Sequence, residues 1–433
     1  MGIPTVGAAG ANIVNYAIGY DFKFTNGMPI RYVGFPFPVA GQPREVHHRY
    51  VFESNDILSG KPMMQAIVAA LTAPLKAEET IKGQPPDAVA EPRLLPPDTE
   101  DNLQQLFKDR DWTDYNPVIL PTEQRVAAML AGTSHPPDKV VKVISWPGGN
   151  RALTVEKVAV NAVMAGAKPE HFPLILAVAT SVPFGNSTSS MANMILVNGP
   201  IRNEIGMNYG TNVMGPHNEV NAVLGRVYTL MSKSAGDLHA GKTTFSSLGS
   251  NLQYNNLCIA ENEEGLPEGW KPVHVQRGFK PTDSVVTVGT GWSYISSVGE
   301  VQIAYPPQNL MRDYMQALSG MGASVLMDPT VAGLLRDTQG FETKEQLGNW
   351  LADNVKKTVA SYWGNGVVST MYSSMAMQGL EPYASQRKQP PETLMNPLRR
   401  GSVGVVVTGG GIQTTWFVTD FGVGRGTRVD DWR

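Results

Sequence analysis

The sequence predicts an α/β protein, with a large three-layer α/β domain preceded by a small, incomplete α/β half-domain. Two observations carry this. From about residue 101 short apolar strands alternate with segments of helical period. Before that, residues 72–100 hold six prolines and almost no apolar periodicity, which marks a boundary. The expected division is therefore 1–72 as the half-domain, 73–105 as a proline-rich linker, 106–400 as the large domain, and 401–433 as a C-terminal β-hairpin and tail.

Each element has a local reason. Residues 29–35 read as a strand, and 62–71 as a helix with Met63, Met64, Ile67, Val68 and Leu71 on one side. Residues 139–146 are β-branched and strand-like, and a Pro147-Gly148-Gly149-Asn150 turn follows. Thr154 then opens a helix with Val155, Val158, Ala159, Ala162 and Val163 on one face. Gly166 ends it, and Pro169 starts another helix. Residues 194–198, 257–260, 285–288 and 324–327 fit strands, while 218–232, 308–318 and 344–358 fit helices. No repeat of fixed period is visible.

The 433 residues carry 35 Lys+Arg against 38 Asp+Glu, a formal charge of −3. That balance leaves no electrostatic footprint for nucleic acid or an anionic membrane. One cysteine excludes an intrachain disulfide, a cysteine-rich zinc site and a CxxC redox pair. Charged residues make up 17%, which together with many Gly and Met residues hints at large protein–protein contacts. The opening residues lack the basic start and apolar run of a leader, and no stretch reaches the ~20 apolar residues of a membrane span. A soluble, cytoplasmic protein is expected.

Gly236-Asp237-Leu238-His239-Ala240-Gly241-Lys242-Thr243 spells a phosphate-loop pattern. That chemistry needs a strand before the glycines and a helix after the lysine, and neither is present, so a loop after a helix accounts for it better. Gly409-Gly410-Gly411 reads as a tight turn. The seven histidines show no HExxH spacing, and the metal content is left open. The most informative stretch is residues 257–264. There an apolar strand delivers Cys258, then Glu261, Asn262, Glu263 and Glu264. Glu261, following an apolar run, is the expected acid/base, and Cys258 a candidate nucleophile if a cation offsets the carboxylates. Glu263 and Glu264 are expected to face water. His239 is a further catalytic candidate. Asn262, Arg277, Asn186 and Asn212 are candidates for substrate binding, because amides and hydroxyls at strand ends suit a pocket lining. No cofactor is assigned.

Several phrases resemble a known family. Asp114-Tyr115-Asn116-Pro117-Val118-Ile119-Leu120-Pro121-Thr122 with its following helix, the stretch from Thr154 to Ala177, Asn198-Gly199-Pro200-Ile201-Arg202, and Cys258-Ile259-Ala260-Glu261-Asn262-Glu263 occur in that order. Together they resemble the large domain associated with the bacterial UGSC-motif (seleno)proteins, over about residues 106–290. Gly2-Ile3-Pro4-Thr5-Val6, residues 34–43 and Ala69-Ala70-Leu71-Thr72 resemble the second half of the small UGSC domain. In that family a Sec/Cys-Gly-Ser-Cys motif lies upstream of the Gly-Ile-Pro-Thr-Val strand, and this sequence lacks it. The resemblance implies a small subunit carrying a CGSC-type motif, which completes the half-domain and supplies reactive thiols in a higher hetero-oligomer. The expected activity is thus that of the large subunit of a soluble small-molecule enzyme using carboxylate or thiol chemistry, in a reductive, lyase or hydrolytic step. The alternative is a non-catalytic scaffold that completes a partner's site.

Overall fold

The computed structural model describes residues 5–11, 13–15, 17–18, 29–39, 42–80, 93–146, 149–181, 190–236, 238–241, 243–244, 246–298, 305–319, 322–413 and 415–433. The chain forms two compact units. One comprises residues 1–96, 145–150 and 358–393, the other 97–144, 151–357 and 394–433. The segment 358–393, expected in the large domain, thus groups with the N-terminal unit. Among the described residues no helix is long and apolar enough to cross a membrane.

In the first unit β1 (Gly7–Gly10) and β2 (Tyr32–Phe35) pair in parallel, with Gly7 opposite Tyr32. Helices Arg44–Phe52 and Met63–Thr72 follow. Val33, Met63 and Ala66 form a small core. The Asp56 carboxylate braces the turn between the helices, accepting from the amides of Gly34 at 2.8 Å and Ser59 at 3.0 Å. Helices Val359–Gly364, Gly366–Met377 and Tyr383–Arg387 complete the unit.

The second unit is built on capped elements. Thr99, Thr122, Thr154, Asp328 and Thr343 each accept a backbone N–H in the first turn of the helix they precede. The Asp114 carboxylate takes two bonds from Arg226, at 2.8 and 3.0 Å, and so ties the 113–118 segment to helix Glu219–Ser234. Strands β3 (Val140–Trp146) and β4 (Gly149–Thr154), whose residues 145–150 group with the first unit, form a two-stranded sheet, and helices Val155–Ala165 and Phe172–Ser181 follow.

Two four-stranded sheets follow, with the same internal plan. In the first, β5 (Ala192–Asn198) runs parallel to β6 (Leu257–Ala260), and β7 (Val285–Gly291) lies antiparallel on the other side of β5. After β7 comes β8 (Tyr294–Val298). In the second sheet β9 (Ala323–Met327) takes the central place; β10 (Lys357–Thr358) and β11 (Leu394–Met395) are two-residue strands outside it. β12 (Val403–Val407) runs parallel to β9, and β13 (Thr415–Thr419) antiparallel on its other side. β14 (Gly426–Arg428) comes last. The fourth strands are exchanged, since β8 pairs with β13 and β14 with β7. The unit is therefore a topological duplication with swapped edge strands. β12 and β13 do not form the expected hairpin, because β9 lies between them.

Alternation along the strands shows what each face meets. Met194, Leu196, Leu257 and Ile259 of the first sheet share a core with Leu326 and Val406 of the second. Their neighbours Ile195, Val197, Cys258 and Ala260 pack into the core of helices Val155–Ala165, Phe172–Ser181 and Glu219–Ser234. Val325, Met327, Val405, Val407, Trp416 and Val418 share a core with helices Pro307–Met315, Pro329–Gln339 and Lys344–Asn354. The α/β class holds, but the layers run helix, sheet, sheet, helix, four in place of the expected three. A strand buried on both faces reads as a continuous apolar run whether helices or a second sheet cover it.

The exchange of strands brings backbones close. A Cβ on Gly289 of β7 would collide with the carbonyl of Gly422, just past β13. Gly289→Ala is expected to cost about 2–3 kcal/mol, read as a lower urea midpoint with an unchanged slope.

Candidate functional site

In the register of β5 and β6, Val197 faces Ala260, so Asn198 and Glu261 emerge side by side at the carboxyl ends. Glu261 is fully buried. Its Oε2 accepts from Asn198 Nδ2 at 2.6 Å and from the Val273 amide at 2.7 Å. Its Oε1 meets the Lys344 ammonium and the Val407 amide, the latter at 3.5 Å. Lys344 is itself buried. Four donors from four segments therefore converge on one carboxylate. This is a clamp holding β5, β6, β12 and helix Lys344–Asn354 together, and it leaves Glu261 poorly placed to exchange a proton with a ligand. The expected acid/base role gains no support from this geometry.

The neighbouring carboxylates are also engaged. Glu263 accepts from Asn198 Nδ2 at 3.0 Å and the Gly199 amide at 2.7 Å, and Arg202 reaches its Oε2 at 3.3 Å. Arg202 donates to Glu264 at 3.0 Å as well. Burial alone would raise the Glu264 pKa, but the bonds and charge of Arg202 outweigh it and hold that carboxyl below its ordinary range. His274 is fully buried with Nδ1 3.7 Å from Glu263. Glu264 is exposed as expected, although Arg202 also holds it; for Glu263 the expectation that it faces water is corrected, because Arg202, buried beneath it, needs counter-charge.

Asn262 joins the two sheets. Its amide donates to the Val407 carbonyl at 2.8 Å, and its Nδ2 to the Gly409 carbonyl at 3.0 Å. It positions the glycine turn and is a support for a site more than a ligand contact. Cys258, on β6, packs against the helix layer, and burial pushes its thiol up to about 12. Burial thus favours the protonated thiol at neutral pH, and the expected nucleophile role gains no support from this setting. His239 pairs through Nδ1 with Asp111, whose other oxygen accepts from Lys233 at 2.5 Å. That cluster shares no described contact with Glu261. Arg277 is exposed and donates to the Val423 carbonyl at 2.9 Å. It borders a groove of about 270 Å³ that Lys344 also lines. Asn186 lies outside the described residues, as do Asp237 and Lys242 of the phosphate-loop pattern. Among the described residues no three His, Cys, Asp or Glu side chains gather as a metal site.

The equivalent place in the second sheet is open. Val407 faces Met327, so Thr408 and Asp328 stand at the carboxyl ends of β12 and β9, as Glu261 and Asn198 do in the first sheet. Asp328 accepts from the Val331 amide at 2.9 Å and the Thr415 amide at 2.5 Å. Above them lies a cavity of about 420 Å³, floored by Leu326, Met327, Trp416 and Phe417 and rimmed by Thr211, Asn212, Thr415 and the 409–410 turn. Gly410 has no room for a Cβ against Thr211, which explains the glycine there. Among the described residues Asp328 is the one charged group of the wall. Asn212 is thus the substrate-binding candidate that lines a cavity here; Asp328 and Thr408 were missed, although Asp328-Pro329 and Thr408-Gly409 each end an apolar strand with a turn signal.

A second cavity, of about 520 Å³, lies across the 211–218 loop and is lined by Met214, His217, Glu219, Asn255, Cys258 and Tyr294 among others. Asparagines brace the loop between the cavities. Asn218 Nδ2 donates to the carbonyls of Asn212 at 2.5 Å and Gly215 at 2.8 Å, and Asn212 Nδ2 to that of Pro216 at 2.8 Å. Asn208 Nδ2 donates to Asn218 Oδ1 at 2.5 Å. Compared with protein-family models, curated proteins and solved structures, the chain matches none.

Proposed function

We propose that this chain is the large, substrate-binding subunit of a multi-chain enzyme acting on a small molecule, in keeping with its resemblance to the UGSC-motif proteins. The observation that carries this reading is the open cavity at the carboxyl ends of β9 and β12, the place where open α/β sheets bind ligands. Its apolar floor and its hydroxyl and amide rim suit an uncharged molecule with an apolar body, because the single carboxylate, Asp328, already caps a helix and accepts two backbone amides. The thiols of a reductive, lyase or hydrolytic step would come from another polypeptide, because the one cysteine here is held protonated. Among the described residues of the first unit, Phe37 (60% exposed) and Leu75 (66%) stand in solvent beside the small Val33, Met63 and Ala66 cluster, apolar surface that a partner could cover.

Native mass spectrometry of the complex purified from its source tests this. A small cysteine-bearing subunit and a bound small molecule are expected; an active monomer of this chain alone would refute the two-chain enzyme. Ile412, 83% exposed at the cavity mouth, offers a sharper probe. Ile412→Asp is expected to leave the melting temperature unchanged and to raise KM about tenfold in the complex. The scaffold reading rests on the saturated, closed surroundings of Glu261, and unchanged kinetics in Ile412→Asp would favour it.

A further inference from the structure

We propose that the second cavity is a binding site for an uncharged polar molecule bearing hydroxyl or carbonyl groups, with His217 as its hydrogen-bonding anchor. The starting point is backbone strain. His217 sits at φ +78°, a left-handed conformation that glycine or asparagine adopts cheaply and that costs most side chains on the order of 1 kcal/mol. Other non-glycine residues at positive φ have a local reason. Asn212 and Asn256 tolerate the region, and Asp111 is fixed by Lys233 and His239. The Tyr115 amide donates to Thr113 Oγ1 at 3.0 Å, and Ser190 Oγ bonds Thr244 Oγ1 at 2.7 Å. Histidine too is found there more often than most side chains, but the His217 imidazole, exposed at the cavity wall, makes no hydrogen bond or ion pair among the described residues that would fix it in place.

The loop imposes the strain on both sides of it. Asn212 holds the Pro216 carbonyl, and Asn218 holds those of Asn212 and Gly215. Their combined effect is to deliver an imidazole, able to donate from one nitrogen and accept at the other, to the wall of a 520 Å³ cavity. The charge on that wall selects the ligand. Among the described residues it holds no Lys or Arg to attract an anion, and its carboxylate, Glu219, lies in the first turn of a 16-residue helix whose dipole already favours a negative charge there. The other titratable groups are the protonated Cys258 thiol and the Tyr294 hydroxyl. Met214 and Leu252 supply apolar contact. The inference extends the reading of the first cavity to its neighbour, with which it shares the loop.

Ring-labelled histidine NMR on the full chain tests it, with acetamide and isopropanol as neutral probes and acetate and tetramethylammonium as charged ones. The neutral probes are expected to shift the His217 resonance saturably while the charged ones do not. In His217→Gly the melting temperature is expected to hold or rise, because the strain is relieved, while acetamide affinity by ligand-observed NMR falls about tenfold, as for one lost hydrogen bond. Equal response to charged probes, no response to neutral ones, or a melting temperature several degrees lower in His217→Gly would overturn the assignment. The same titration on Ile412→Asp keeps the two readings apart, since a retained His217 response upholds the second cavity whatever becomes of the first.

Discussion

Glu261→Leu is expected to destabilise the second unit by about 3–5 kcal/mol, because it strands a buried ammonium without its counter-charge. Lys344→Met should cost a similar amount for the mirror reason. The double replacement Glu261→Leu with Lys344→Met removes both charges and is expected to recover the part of the loss due to the stranded ammonium, while the Val273 amide and the Asn198 side chain still lack this acceptor. Urea unfolding of the three variants gives the coupling directly. The experiment also decides between clamp and catalyst. A clamp predicts that the stable double variant keeps activity in the reconstituted complex, whereas an acid/base would lose it whatever the stability.

Cys258 is expected to react with iodoacetamide at pH 8 about a thousandfold more slowly in the folded chain than in urea, because only the thiolate attacks. A folded pKa of about 12 against an ordinary 9.0 sets that ratio. It also sets a pH dependence. The folded chain keeps a proton that the unfolded chain gives up, so the contribution is neutral below about pH 9. From there stability falls by ~1.4 kcal/mol per pH unit until about pH 12. Urea midpoints at pH 8, 9.5 and 10.5 should show that slope in the wild type and its removal in Cys258→Ala, against a constant offset for the lost side chain. An alkylation rate that matches a free thiol would return Cys258 to the list of nucleophiles.

The local elements were largely legible. The strand runs at 140–146, 194–198 and 257–260 follow from periodicity, as does the helix with Val220, Leu224, Val227 and Met231 on one face. The Thr154 cap follows from residue type and position. Both signals act within a few residues. The polar character of residues 257–264 was legible too, as was the pocket-lining Asn212. What those carboxylates do was not, because their partners come from elsewhere: Lys344 is 83 residues from Glu261, and Asn198 is 63.

The sequence by itself determined the α/β class, the single cysteine and the near-neutral charge. Only the tertiary structure decided that two sheets stack against each other, that they exchange edge strands, and which strand-end crevice stays open. In the first sheet a buried ion pair fills the carboxyl end; in the second, Asp328 is satisfied by backbone amides and a cavity remains. Periodicity reports that a strand face is apolar, but the element that covers it, and the charge that meets a buried carboxylate, depend on pairings distant in the chain, and no local pattern encodes those.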